Sequence, residues 1–296
     1  MWIQERKARV GTADLCHEVH GADEDRLRQL VARLAVPRHR LVNARSNRLI
    51  RDDLCDAFRG YGFDVQIQGH YQNVVALPPQ TACRPIVLVA AHYDSVPDCP
   101  GADDNASGLA VMLECSRILG PTARSLGVGF IAFNAEEDQL AGSSDFVANG
   151  LGNLPAVRLV HVLEMVGFRA PGQVAEPLPL PWTPAILRSS EFIGLVAKGP
   201  SNAVVNVAVT ATTAPRLHVL AARTWGPLHR WFPDLSRSDH FPFWDAHLPA
   251  VLWTDTGNFR NPNYHRATDT PDTLDYVFMC QVTELLCAVL SKENRR

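Results

Sequence analysis

Residues 86–94 read Ile-Val-Leu-Val-Ala-Ala-His-Tyr-Asp. Six apolar residues in succession, with no polar alternation, form the pattern of a strand covered on both faces, and such strands sit in sheets sandwiched between helices. The run stops at His92 and Asp94, two groups able to bind cations or move protons. Working outward, the same arrangement recurs: 128–133 is apolar and followed by Glu136 and Glu137, 157–163 is followed by Glu164, and 250–254 is followed by Asp255, with His265 ten residues further on. In an open α/β sheet the carboxyl ends of parallel strands form the ligand crevice, so these separated groups can converge.

Helical periodicity fills the intervals. Residues 23–35 place Leu27, Leu30, Val31 and Leu34 at spacings of three and four, and 46–61 carry Leu49, Ile50, Leu54 and Phe58 after a Ser-Asn cap signal. Further helices are expected at 105–119, 143–149 and about 275–292, and further strands at 63–68 and 73–77. Cys280 and Cys287, seven apart on the last helix, read as core residues. Strands alternating with helices give an α/β fold, one sheet with helices on both faces in a single domain over 1–296. Residues 168–237 hold nine of the 21 prolines and no long helical run, and are expected to leave the sheet as an excursion.

Composition narrows the function. With 46 % hydrophobic and 20 % charged residues among 296, the chain is globular and not disordered. A formal charge of -3 gives no field to gather nucleic acid or an anionic membrane, so neither is expected as a partner. Seven cysteines without a CxxC pair make a disulfide scaffold or a structural thiolate zinc site a poor reading. The first residues lack an apolar h-region and no stretch has the length of a membrane span, which points to a cytoplasmic protein, a secreted mature form remaining open.

Two imidazoles and several carboxylates are the donor set of a hard or borderline divalent cation, an N/O site for zinc, manganese or cobalt. The His92-x-Asp94 spacing fits a liganding imidazole whose second nitrogen is held by a carboxylate, and His265 has a comparable neighbour in Asp269. In Gly101-Ala102-Asp103-Asp104-Asn105-Ala106-Ser107-Gly108 two adjacent carboxylates precede a helix, where simple N-terminal capping is the plain alternative. In Glu136-Glu137, one carboxylate can bind metal while the other takes a proton, although a solvated helix start is the commoner meaning of such a pair.

Taken in order, His92-Tyr93-Asp94-Ser95, residues 101–108, Asn134-Ala135-Glu136-Glu137, Glu164-Met165-Val166-Gly167, Ser238-Asp239-His240 and Asn261-Pro262-Asn263-Tyr264-His265 resemble the co-catalytic zinc aminopeptidases of the bacterial leucyl aminopeptidase type. Glutamate carboxypeptidases and glutaminyl cyclases are related to these. The resemblance covers about 70–290. It implies the zinc exopeptidase, phosphorylase/hydrolase-like fold with a mixed, mainly parallel central sheet, 168–237 contributing to the pocket rim. It also implies two zinc ions, one on His92 and Glu164 and the other on Glu137 and His265, with Asp103 bridging them. A cis peptide is implied between Asp103 and Asp104. Glu136 is then the general base, Asp94 orients His92, Tyr264 meets the substrate, and Asp239 and Asp269 support the ligands.

Many family members have Asp where this chain has Glu164. Without that ligand, Asp103, Glu137 and His265 would remain, the three-ligand pattern of the single-zinc glutaminyl cyclases.

The implied reaction is hydrolysis of the N-terminal bond of a peptide with a free N-terminus, by a hydroxide held between the metals and a Glu base. A glutaminyl-cyclase-like acyl transfer is the alternative, and a non-catalytic interaction module on the same fold a third. Phe168, Phe241, Phe243, Trp244 and Phe259 are candidates for an apolar pocket, and Arg260 for a substrate carboxylate.

Overall fold

The computed structural model describes residues 1–6, 21–79, 85–170, 191–210, 217–293 of the chain. The 86–92 run is a strand, β4 (Ile86–His92), buried along its whole length. Before it come β1 (Trp2–Arg6), α1 (Glu24–Leu34), α2 (Ala44–Gly60), β2 (Asp64–Gln68) and β3 (Asn73–Leu77). After it follow α3 (Gly108–Leu126), β5 (Val128–Phe133), α4 (Ala141–Asp145), β6 (Val157–Leu163), β7 (Phe192–Lys198), α5 (Asn202–Thr210), β8 (His218–Thr224), α6 (His240–Asp245), β9 (Ala250–Thr254) and α7 (Tyr276–Glu293).

The nine strands form one sheet in the order β1-β8-β7-β9-β6-β4-β5-β3-β2. Its centre, β9-β6-β4-β5, is parallel, as is β7 with β8. The pairs β1/β8, β2/β3, β3/β5 and β7/β9 are antiparallel, so the mixed sheet divides evenly and is parallel where the doubly buried runs lie. Alternation then assigns each side chain to a face. Val87, Val89 and Ala91 of β4 enter the larger core, with α1, α2, α3, α5 and α7, while Ile86, Leu88 and Ala90 enter the smaller one with Phe146, Phe243 and Trp244.

Residues 168–237 are more regular than expected. The stretch supplies β7, α5 and β8 to the sheet and its cover, although 171–190 and 211–216 lie outside the described residues. Cys287 is buried as expected, its Sγ 3.4 Å from that of Cys115 on α3, and Cys280 is half-buried against the same core. Among the described residues no helix is long and apolar enough to cross a membrane.

Candidate metal centre

Parallel neighbours β5, β4 and β6 end side by side, and their carboxyl ends deliver Glu136 and Glu137, His92, and Glu164 to one crevice. The loop after β9 adds His265, and the turn before α3 adds Asp104. Ala135, Met165 and His265 all take left-handed backbone (φ 61, 50 and 57°) without being glycine. Such conformations cost of order 1–3 kcal/mol each and gather where the surrounding structure fixes functional groups.

The carboxylate between the two imidazoles is that of Asp104. Its Oδ1 lies 3.2 Å from His92 Nε2 and its Oδ2 3.1 Å from His265 Nε2. Glu164 Oε2 stands 3.5 Å from the same atom of His92, and Glu137 Oε2 3.2 Å from that of His265. Two triads result, His92/Asp104/Glu164 and Asp104/Glu137/His265, each with donor atoms within 4.8 Å of one another.

The assignment of the bridge to Asp103 is therefore corrected by one residue. Asp103 turns inward, accepting from Gly167 N at 3.0 Å and Asn261 Nδ2 at 2.8 Å. Adjacent side chains project to opposite sides of this turn, and only one can face the crevice. The cis peptide likewise falls at Asp104–Asn105, not at Asp103–Asp104.

The residues fit a pair of divalent cations. His92 Nε2 and Glu137 Oε1 are buried without a hydrogen bond, an arrangement that is costly unless a further partner satisfies them. Burial alone would lower the pKa of His92, but Glu164, Glu136 and the Asp104 and Asp94 carboxylates raise it well above its ordinary value. Burial opposes His265 too, yet bonds to Asp104 and Glu137 lift it to about 10. Burial pushes Glu137 up to about 7, with Asp104 adding to the effect. Glu136 is raised well above the carboxylate range by burial, reinforced by Glu164, Asp239 and Glu137 and opposed by His92. A crowd of carboxylates held around two imidazoles lacks cationic charge, and metal ions would supply it.

The supporting residues do more than sequence spacing suggests. Asp94 Oδ1 is 3.4 Å from His92 Nδ1, and the same carboxylate accepts the backbone N–H of Glu136 (3.1 Å) and Glu137 (3.2 Å). One side chain thus holds the backbone of the Glu pair by hydrogen bonds and places its charge beside the His92 ring. Asp269 does not reach His265; it accepts from the N–H of Asp103 and Asp104 at 3.0 and 3.1 Å and so holds the bridging residue's backbone. Asp239 is fully buried beside Ser143, with burial raising it to about 7.

Three further residues support the centre, Ser238 and Asn105 from within the quoted motifs and Arg38 from outside them. Ser238 donates to Glu164 Oε2 at 2.8 Å and aims the longer carboxylate. Asn105 donates to Leu163 O (2.8 Å) and accepts from Gly108 N and Met165 N (both 3.2 Å), tying the Asp104 turn to the Glu164 loop. Arg38, fully buried, donates to the carbonyls of Val36, Tyr93, Pro100 and Gly101. It lies near no motif, and a lone Arg after a helix reads as a surface residue.

Two cavities open from the centre and share Glu136, Arg237 and Tyr264. Tyr264 stacks on His265 (ring centroids 3.8 Å apart), and its hydroxyl accepts from Arg237 Nη2 at 3.1 Å. Of the aromatic candidates, Phe259 lines the apolar cavity and Phe241 the other. Phe243 and Trp244 belong to the smaller core, and Phe168 is buried next to Gly167. Arg260 is buried as well, its guanidinium donating to Phe192 O and stacked on the Phe192 ring, a structural placement.

Comparison with known proteins gives a consistent picture. The model of peptidase family M28 matches residues 73–290. The uncharacterized protein YfbL of Escherichia coli is 34 % identical over 242 residues, spanning 77 % of this chain and 73 % of its own length. Aminopeptidase YwaD of Bacillus subtilis is 32 % identical over 74 % of this chain, which spans only 44 % of that relative. Among solved structures, the LapA aminopeptidase of Legionella pneumophila superposes over 93 % of this chain and 73 % of its own, with a TM-score of 0.72 at 17 % identity. A zinc aminopeptidase from B. subtilis gives 0.54 over 75 % of this chain and 50 % of its own at 27 % identity. The glutaminyl cyclase of Porphyromonas gingivalis gives 0.66 over 92 % and 98 % at 21 %, a likeness of fold.

Proposed function

The chain belongs to peptidase family M28, and from that premise we propose that it is a metal-dependent aminopeptidase that hydrolyses the N-terminal bond of peptides. The observation that carries the reading is Asp104 set between two His–carboxylate pairs with Glu136 beside them, a two-ion constellation with a spare base. Zinc is the cation assigned, in keeping with the imidazole and carboxylate donors and with the zinc aminopeptidase among the similar structures. His92, Asp104 and Glu164 would hold one ion and Asp104, Glu137 and His265 the other. Bound there, the ions would polarise the scissile carbonyl and acidify water.

The protein's own groups do the rest. Glu136 accepts a proton from the attacking water and returns it to the departing amine as the C–N bond breaks, so no net proton stays on the enzyme. Tyr264 keeps its phenolic proton because burial raises its pKa above the ordinary range, with nearby Asp104 adding to this. Since Arg237 already donates to the phenol oxygen, the phenolic hydrogen is left to meet the developing oxyanion. Glu164, aimed by Ser238, completes the first triad, which a single-ion cyclase would not need.

Metal analysis of the purified protein together with aminoacyl anilides and a peptide beginning with glutamine tests the reading. Bound zinc, anilide hydrolysis, and loss of that hydrolysis on chelation with recovery on adding zinc are expected. Cyclisation of the glutamine peptide without anilide hydrolysis, or activity surviving verified metal loss, would overturn it.

A further inference from the structure

Ala135 takes left-handed backbone (φ 61°) between Asn134 and Glu136, so the turn that presents the base and the Glu137 ligand has to be held on both sides to keep that conformation. On the far side Asp94 accepts the N–H groups of Glu136 and Glu137. On the near side the anchor is a pair of buried carboxamides. Asn134 Nδ2 donates to Asn47 Oδ1 at 3.2 Å, and Asn47 Nδ2 donates back to Asn134 Oδ1 at 2.9 Å, each residue being 4 % exposed. Asn47 reaches the turn from α2, outside residues 73–290.

Both amides are fully used. The second hydrogen of Asn47 Nδ2 meets Arg38 O at 2.8 Å and that of Asn134 Nδ2 meets Tyr71 O at 2.9 Å, which fixes which way round each amide sits. The backbone N–H of Asn134 goes to Asn73 Oδ1 at 3.1 Å, and the Asn73 amide donates to Gly142 O (3.0 Å) in α4. Arg38, which Asn47 grips, donates in turn to the carbonyls of Pro100 and Gly101 ahead of Asp104. We infer that Asn47 is a positioning residue for the Glu136–Glu137 turn: through Asn134 it sets where the general base and the Glu137 ligand stand relative to Asp104. It belongs to neither His–carboxylate triad. The inference rests on the aminopeptidase reading, with Glu136 as the base. Removing the Asn47 amide leaves Asn134 Oδ1 and Arg38 O without that donor and frees the strained turn to relax, and a shift of about 1 Å at a reacting group can cost about 100-fold in rate.

The test measures kcat and KM separately on leucine p-nitroanilide, and zinc affinity by competition with a chelator, for wild type, Asn47→Ala, Asn134→Ala and the double variant. Under saturating zinc, Asn47→Ala should lower kcat by about 10-fold or more while KM stays within about 2-fold. It should also weaken the ion on Glu137 and His265 by about 10-fold or more, the scale for residues that orient a ligand. Asn134→Ala should do the same, and the double variant should be no worse than either single one, because the two amides act as a unit. Asn47→Ser, which fits the same space, serves if Asn47→Ala does not fold. A folded Asn47 variant with a lower Tm but wild-type kcat and zinc affinity, or losses that multiply in the double variant, would overturn the inference. A wild type without anilide hydrolysis would defeat the aminopeptidase reading instead, and the zinc affinities would still test the anchor.

Discussion

Replacing Asp104 by Asn should strip both ions at once, because each carboxylate oxygen serves a different imidazole. Metal content after dialysis should fall for both sites, and affinity should drop by more than the 10–100-fold typical of changes one layer further out. Asp103→Asn makes the contrast: its neighbours are Gly167 N, Asn261 Nδ2 and the Asp255 carboxyl, so the ions should stay while chemical denaturation shows a loss of roughly 1–3 kcal/mol. Glu136→Gln should keep its metal, since Glu136 belongs to neither triad, and lose turnover by about 100-fold or more. If that variant loses metal and Glu137→Gln does not, the pair has been read in the wrong order. These residues also mark where sequence reading stops. The donor set was legible because each ligand stands at the end of a strand or in a distinctive motif. The choice between Asp103 and Asp104 was not, because it depends on which way one peptide faces in a turn.

At the scale of elements, Arg38 secures the loop between β4 and α3. Arg38→Leu would orphan buried carbonyls from residues 36, 93, 100 and 101, and urea unfolding should register a loss of about 3 kcal/mol or more. The short helix α6 carries a different sensitivity. Burial lowers His240 to about 4, opposed only by a bond to Leu235 O, whereas an unfolded histidine titrates near 6.5. Between those values the unfolded chain binds the extra proton, so this group's contribution to stability is intact above about 6.5 and lost as pH falls toward 4. The shift corresponds to about 3 kcal/mol. Denaturant midpoints across that window should fall more steeply in wild type than in His240→Phe, and parallel curves would show that His240 is not the titrating group.

The elements found from sequence are those whose patterns have one meaning. β4 up to His92, β5, and β9 up to Thr254 are apolar runs, β6 is apolar apart from Arg158 and His161, and α1, α2 and α7 are apolar at helical spacing. β7 (FIGLVAK) and β8 (HVLAART) contain Gly and Ala, which speak weakly for strand, and α5 (NAVVNVAVT) is a helix rich in β-branched valine. Their conformations come from packing against one another and α7, a tertiary effect that local pattern does not carry.

For the molecule as a whole, the carboxylates gathered at the crevice make ion binding a term in global stability. Zinc at 100 times its dissociation constant should stabilise the fold by about 2.7 kcal/mol per independent site, provided the unfolded chain binds none. Chelation should therefore lower Tm by roughly 5 °C per site, and an unchanged Tm would count against ions held between these segments.

Asn105 gives this frame a kinetic character. Its one amide fastens Leu163, Met165 and Gly108, so the Asp104 turn and the Glu164 loop form a single rigid piece. An arriving ion has no loop to fold around itself, and its capture should be governed by the shedding of its own hydration water. Loading followed by rapid mixing should then proceed without the lag of a conformational rearrangement. Asn105→Ala, by releasing the two loops from each other, should introduce one.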